Sequence, residues 1–363
     1  MRKLGISLYP EKSSKEEIFE YITKAKKAGF SRIFSCLLSA NEEKDIIKRR
    51  FSEINEFAHQ HGFEVIVDVS PRVFDNLGIS YKDLTFFNEI NADGLRLDLG
   101  FTGSEEALMT FNPYDLKIEI NMSMDTHTLD TIMDFQPNKY NLLGCHNFYP
   151  HQYSGLNEEF FKKCTRRFNK YGLRTAAFVT SQNDNTFGPW PVTDGLPTLE
   201  IHRYLPLHIQ IKHLVAMGIV DDIIISNCFP SDKELEKLSK VRKDLLSFEV
   251  ELHKEIPEVE RKIVLDELHF HRGDYSDAFI RSTQSRVKYK EHEFKVFNAP
   301  EIIQRGDILI ESSEYGHYAG ELQIALTEMI NSGKTNVVGK IVEEELFLLD
   351  EIKPWQKFRF MIG

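Results

Sequence analysis

The chain has 363 residues, of which 41% are hydrophobic and 12% aromatic, enough to fill one large core and a smaller second one. Its 45 basic residues stand against 56 acidic ones, a formal net charge of −11. That balance works against non-specific binding of nucleic acid or anionic lipid, so an anionic ligand requires a local basic pocket.

The N-terminus, "MRKLGISLYPEKSSKEE", turns polar by Pro10 with no apolar signal region, and no apolar run approaches the ~20 residues that span a bilayer. Neither export nor a membrane anchor is expected. From there short apolar strands alternate with amphipathic stretches: "KLGISLYP" before 15–29, "SRIFSCLL" before 42–62, "EVIVDVSP" before 80–90 and "GLRLDLGF" before 104–110. The series continues with "LKIEINMS" before 127–135, "YNLLGCHNFYP" before 157–171, "RTAAFVTS" before 198–217 and "DIIISNCFP" before 231–246. Eight strand-helix units within about 245 residues predict a closed (β/α)8 TIM barrel, near the ~250 residues typical of that fold. An open doubly wound sheet fits less well, because no GxGxxG follows the first strand.

From about residue 247 the pattern changes. "SFEVELH", "KIVLDELHFH", "SRVKYKEHEFKVF", "GDILIES", "TNVVGKIV" and "KFRFMIG" read as strands broken by turn signals. This predicts a barrel domain over 1–246 and a smaller, mostly β domain over 247–363. The four cysteines, Cys36, Cys145, Cys164 and Cys228, lack metal-ligand spacing, and three lie in apolar runs. They read as reduced buried thiols, which favours the cytoplasm.

Side chains alternate across a strand, so in "GLRLDLGF" Arg96 and Asp98 share the face opposite Leu95, Leu97 and Leu99. In a barrel that face looks inward, and its C-terminal layer lines the active site of enzymes with this fold. The same parity turns Asp68 and Ser70 inward, together with Glu119, Asn121 and Ser123, and the first strand adds Ser7 and Tyr9. The sixth strand contributes either His146 with Phe148 or Asn147 with Tyr149, which alternation does not settle. Arg96 either pairs with these acids or binds a ligand. Three acids against one arginine leave charge uncompensated, so at least one acid is expected to serve as acid, base or ligand.

The seventh strand runs into "TSQNDNTFGPWPVTDGLPTLEIHR", a long loop over the catalytic face. Phe187 and Trp190 can stack on a sugar ring, and Asn183, Asp184 and Asn185 can bond hydroxyls; the plain alternative is a loop closed by its own aromatics. Glu200 reads first as a carboxylate complementing a helix dipole. In the second domain, His269 and His271 stand at i, i+2, a spacing too weak to predict a metal. Arg281 and Arg286 flank Ser282, Thr283 and Ser285, a set suited to phosphate or carboxylate or, alternatively, to ion pairs between the domains. If those arginines do not meet the anion, the loops around Asn183 and Asn227 are the next candidates.

Taken together, "ISLYP", "RIFSCLL", "LRLDLGF", "CHNFYP", "GLPTLEIHR", "LHFHRGD", "IRSTQSRVKY" and "GELQIAL" run in order over essentially the whole chain. They resemble the MupG-type 6-phospho-N-acetylmuramidase family, sometimes labelled outer surface protein. The resemblance implies a TIM barrel followed by a cyclophilin-like β-barrel domain. It also implies cytoplasmic cleavage of phosphorylated muramic acid–glucosamine disaccharides during cell-wall recycling.

That chemistry needs one carboxylic acid to protonate the leaving oxygen and a second carboxylate as nucleophile or base. Asp68, Asp98 and Glu119 are the candidates. Adjacent strands are ~4.8 Å apart, so Asp98 with Glu119 suits the ~5–5.5 Å of a retaining pair, whereas Asp68 with Glu119, two strands apart, suits inversion. The expected substrate-binding set is Ser7, Tyr9, Arg96, Asn121, His146, Asn147, Asn183, Asn227, Arg281 and Arg286. No cofactor or metal is expected, and a homo-oligomer is compatible with the sequence. A second reading is a metal-dependent sugar-phosphate isomerase or epimerase using Asp68, Asp98, Glu119 and His146. A third is a non-catalytic sugar-binding protein, which several interior acids argue against.

Overall fold

The computed structural model describes residues 2–37, 42–69, 71–192 and 194–363. Ser70 lies outside the described residues. The chain divides into two compact units, Met1–Leu214 with Gly218–Val241, and Val215–Met217 with Arg242–Gly363.

In the first unit eight parallel strands close into a barrel in sequence order. They are β1 (Lys3–Leu8), β2 (Arg32–Leu37), β3 (Glu64–Val69), β4 (Gly94–Leu97), β5 (Lys117–Asn121), β6 (Leu142–Cys145), β7 (Arg174–Val179) and β8 (Asp222–Ile225). Their outward faces supply Leu4, Ile6, Val65, Val67, Leu95, Ile118, Ala177 and Ile223, all fully buried. Against that surface lie helices such as Lys15–Lys27, which buries Ile18, Tyr21, Ile22 and Ala25 at helical spacing and opens on a Ser14/Glu17 capping box.

Two expected helices differ. Within 80–90 only Thr85–Glu89 is helical, and a separate helix, Pro71–Leu77, precedes it. The helix expected from 198 begins at Leu207, after Pro206, and leaves only a short 3-10 turn at Glu200–His202. A proline at the helix start fixes the entry, so Pro206 rather than Pro197 marks it.

Inside the lower, N-terminal end of the barrel runs a layer of charges. Arg32 pairs with Glu119 and, at 2.5 Å, with Asp222. Arg174 reaches Asp222 at 2.5 Å and Glu64 at 2.6 Å, and Lys3 reaches Glu64 at 2.9 Å. Three cations thus meet three carboxylates, drawn from β1, β2, β3, β5, β7 and β8. Burial alone would push Glu64 up, but Arg174 and Lys3 hold its carboxyl down at about 2.

The second unit is mostly β. Its main sheet has the order β10-β17-β9-β16-β13-β14-β11, built from β9 (Leu246–Leu252), β10 (His269–Phe270), β11 (Phe279–Ser282), β13 (Asp307–Glu311), β14 (Leu322–Ala325), β16 (Thr335–Ile341) and β17 (Lys357–Met361). A small pair joins β12 (Ile302–Ile303) to β15 (Met329–Ile330). One sheet face packs Phe248, Val250, Ile280, Ile308, Ile310, Leu322 and Ile324 into the core. Two expected strands differ. "KIVLDELHFH" starts inside the helix Glu258–Asp266, which follows Pro257 and buries Ile263 and Val264, and keeps only the two-residue strand β10 near its end. "SRVKYKEHEFKVF" opens inside the helix Gln284–Lys288 and continues as irregular chain pinned by buried Phe294. In both, β-branched and aromatic residues mark burial rather than pleating.

Candidate active site

Parallel register places Asp68 opposite Arg96 and Arg96 opposite Glu119, so all three side chains start on the inward face. Arg96, 3% exposed, then extends toward the C-terminal mouth. Its Nη1 donates to Asp68 at 2.6 Å and reaches Asp98 at 3.5 Å, while Nη2 donates to the side-chain oxygen of Asn147. Burial raises the Asp68 carboxyl above its usual range against the pull of Arg96. The Cys36 thiol sits 3.5 Å from the same carboxylate. Asp98 is 48% exposed and held only at arm's length.

Glu119 takes a different course. Its side chain descends to Arg32, is fully buried, and belongs to the charge layer below. It is not brought together with Asp68 and Asp98. His146 is also withdrawn: it stacks on Phe161 of the helix Glu158–Lys170, and its two nitrogens meet Ser123 at 3.1 Å and Thr165 at 2.9 Å. Burial, with help from Arg96, drives its pKa down to about 3, so it stays neutral. The four-residue ligand set of Asp68, Asp98, Glu119 and His146 is therefore not assembled.

The choice left open at β6 resolves because the strand ends at Cys145 and strict alternation ends with it. Asn147 meets Arg96, and Phe148 packs against Phe34, Phe178 and Trp190 at 6.0, 4.9 and 6.0 Å between ring centres. Trp190, 55% exposed, is the outermost ring of that group. Ser123 fixes Asn147 by accepting its backbone N–H at 2.7 Å, and the Asn121 side chain accepts from Ser123 N–H at 2.9 Å.

Tyr9 is fully buried and donates to the Ser226 carbonyl. Ser7 beside it is buried, and its hydroxyl has no hydrogen-bond partner among the described residues. Asn227 is consumed as a staple between strand ends, accepting from Ser181 N–H at 2.8 Å and donating to Ser181 C=O at 3.1 Å. Asn183, with Asp184 and Asn185, lines a polar cavity of about 330 Å³. Glu200 does more than complement a dipole: it holds Arg203 at 2.6 Å and accepts from Tyr153 and Gly155 N–H at 2.8 Å each.

In the second unit Arg281 and Arg286 both engage the buried carboxylate of Glu321, at 2.6 and 3.0 Å, and both guanidiniums lie over the Tyr318 ring. The ion pairs expected to link domains are thus satisfied within this unit. His269 uses its two nitrogens on Ser282 and the Ile263 carbonyl, each at 3.0 Å.

A closed parallel barrel with a buried carboxyl, an exposed carboxyl and a guanidinium gathered at its C-terminal mouth has the layout of a TIM-barrel enzyme site, and two such carboxyls are what glycoside cleavage uses. Residues 4–240 match the family described as 6-phospho-N-acetylmuramidase, N-terminal, and residues 246–361 match its C-terminal counterpart. The chain belongs to the 6-phospho-N-acetylmuramidase family, glycoside hydrolases that act on a phosphorylated muramic-acid sugar.

Among solved structures, an uncharacterized B. cereus protein is 48% identical, covering 99% of each chain at a TM-score of 0.91. A conserved Enterococcus faecalis protein of unknown function is 24% identical over 99% of this chain and 96% of its own, with a TM-score of 0.71, and shares the fold. The chain has no match among the curated proteins. No described helix is long and apolar enough to cross a membrane.

Proposed function

We propose that the mouth of the barrel cleaves a 6-phosphorylated N-acetylmuramic acid–N-acetylglucosamine disaccharide, with Asp68 as proton donor and Asp98 as nucleophile. The observation that carries this reading is the carboxyl pair bridged by one arginine nitrogen. Asp68 is the group whose protonated form burial favours, as a general acid requires. Asp98 is open to the mouth and loosely held, free to approach an anomeric carbon. Contacts of 2.6 and 3.5 Å to the same nitrogen bring one oxygen of each carboxylate within about 6 Å of the other, which is compatible with the ~5–5.5 Å carboxyl spacing of retaining enzymes. Retention is therefore the expected outcome.

Asn121, Asn147 and the loop around Asn183 are the sugar-binding groups of this reading, with Trp190 as a stacking platform, whereas Tyr9, fully buried and bonded to the Ser226 carbonyl, drops out of the set. A place in cell-wall recycling and a cytoplasmic location follow from the resemblance and agree with four free, buried cysteines. A domain boundary at 246/247 and a cyclophilin-like second domain belong to the same reading.

The test is hydrolysis of the phosphodisaccharide by the intact protein, with the anomer of the first product read by NMR. Asp68→Asn and Asp98→Asn should each lower kcat/KM by at least ~10²-fold, the scale for a positioned acid or base, with folding preserved. Near-normal turnover in both variants would remove the assignment.

A further inference from the structure

The second unit holds a cavity of about 310 Å³ for which the barrel chemistry has no use. Strand register explains its walls. Arg281 on β11 pairs with Gln323 on β14, Gln323 with Leu309 on β13, and Glu311 on β13 with Thr335 on β16. Paired residues in an antiparallel sheet point to the same side. These residues therefore share the face opposite the one that packs into the core. A face turned to water would not bury its polar groups, yet Glu311 and Gln323 are each only 6% exposed. They stand at the bottom of a concavity, with Ile303 and Met329 on its apolar side and Tyr315 and Tyr318 at its rim.

We propose that this cavity is a second ligand site, for a neutral molecule of monosaccharide size that carries hydroxyl and amide groups, held by Arg281, Glu311 and Gln323. The volume is at the lower end of those that enclose small ligands. The charges around it leave little net field for an anion or a cation: Arg281 and Arg286 are answered by Glu321, and Asp274 stands 3.7 Å from Arg281. What is left over is hydrogen-bonding capacity of both kinds. Gln323 offers a donor and an acceptor, Arg281 offers donors, and Glu311 accepts from the Thr335 hydroxyl at 2.7 Å. The apolar side and the tyrosine rings suit the non-polar face of a pyranose.

Glu311 gives the site a pH signature. Burial, with Glu321 adding to it and Thr335, Gln323 and Arg281 opposing, raises its carboxyl to about 7. Below that pH it donates a hydrogen bond to the ligand; above it the carboxylate only accepts. The charged and titratable groups facing it are Glu321, Arg281 and the rim tyrosines Tyr315 and Tyr318.

The test is methyl NMR of the full-length protein titrated with N-acetylglucosamine, and separately with inorganic phosphate. N-acetylglucosamine should shift the methyl signals of Ile303, Leu309 and Met329, and phosphate should leave them in place. Binding should weaken several-fold as pH rises through about 7, and Glu311→Gln should bind with no such pH dependence. Gln323→Leu, checked for a native methyl spectrum, should bind at least ~10-fold more weakly, the scale for losing hydrogen bonds at a buried site. Unmoved cavity methyls with N-acetylglucosamine, or equal movement with phosphate, overturns the proposal.

Discussion

Arg96 shows what alternation along a strand can and cannot predict. Parity alone put Asp68, Arg96 and Asp98 on the inward face, and the structure joins them at the mouth. Glu119 obeys the same parity, but its carboxylate descends to Arg32. The tally of three acids against one arginine omitted Arg32, Arg174 and Lys3, because a charge at the first position of a strand reads as a surface residue. With those cations counted, Glu119 is a paired charge in the fully buried part of that layer. Glu119→Gln should therefore act mainly on stability: breaking one side of a buried pair costs about 3–5 kcal/mol. Urea unfolding should show that loss, with kcat of the folded fraction within a few-fold of normal; a stable variant without turnover would restore Glu119 to the catalytic pair. Asp68 makes the opposite kind of prediction. Its protonated form must be present for acid catalysis, and its pKa is raised. The alkaline limb of kcat/KM should thus lie above the ordinary aspartate range and move in Asp68→Glu. An unmoved limb would assign the acid elsewhere.

Among the elements, those with one dominant signal were legible and those with two competing signals were not. The eight barrel strands have apolar runs bounded by helical stretches, and all eight form. The helix Glu258–Asp266 carries the apolar residues of a strand, but Pro257 and acidic residues in its first turn set it as a helix. No sequence rule revealed that a helix cap also anchors the neighbouring loop. Ser231 and Glu234 form a capping box at the helix Asp232–Lys240, and the same Glu234 carboxylate accepts from the Ser181 hydroxyl at 2.8 Å and the Gln182 N–H at 2.9 Å. Glu234→Ala should cost about 1–2 kcal/mol as a lost cap and buried contact. It should also speed amide exchange over 181–186, the start of the polar cavity that Asn183 lines. Faster exchange confined to the helix would show that cap and loop are independent.

For the whole molecule, the charge layer sets the response to acid. The Glu64 carboxyl is held at about 2 against an ordinary 4.5. A depressed folded value contributes stability above pH 4.5 that is lost as pH falls toward 2, here on the order of 3 kcal/mol. Urea midpoints measured from pH 7 to pH 2 should fall more steeply in the native protein than in Glu64→Gln below pH 4.5. Parallel curves would mean that the layer is already disrupted at neutral pH.

The same layer draws its six charges from strands as far apart in sequence as β1 and β8. Until β8 docks, Asp222 is missing, so Arg32 keeps only Glu119 and Arg174 only Glu64. A seven-stranded intermediate is thus penalised electrostatically as well as by its open edges, and partial barrels gain little by forming early. The arrangement works as a closure test, in which the last strand to arrive completes the neutral set. A fragment ending before Asp222 should accordingly behave as a loose, water-filled globule rather than as seven-eighths of a barrel.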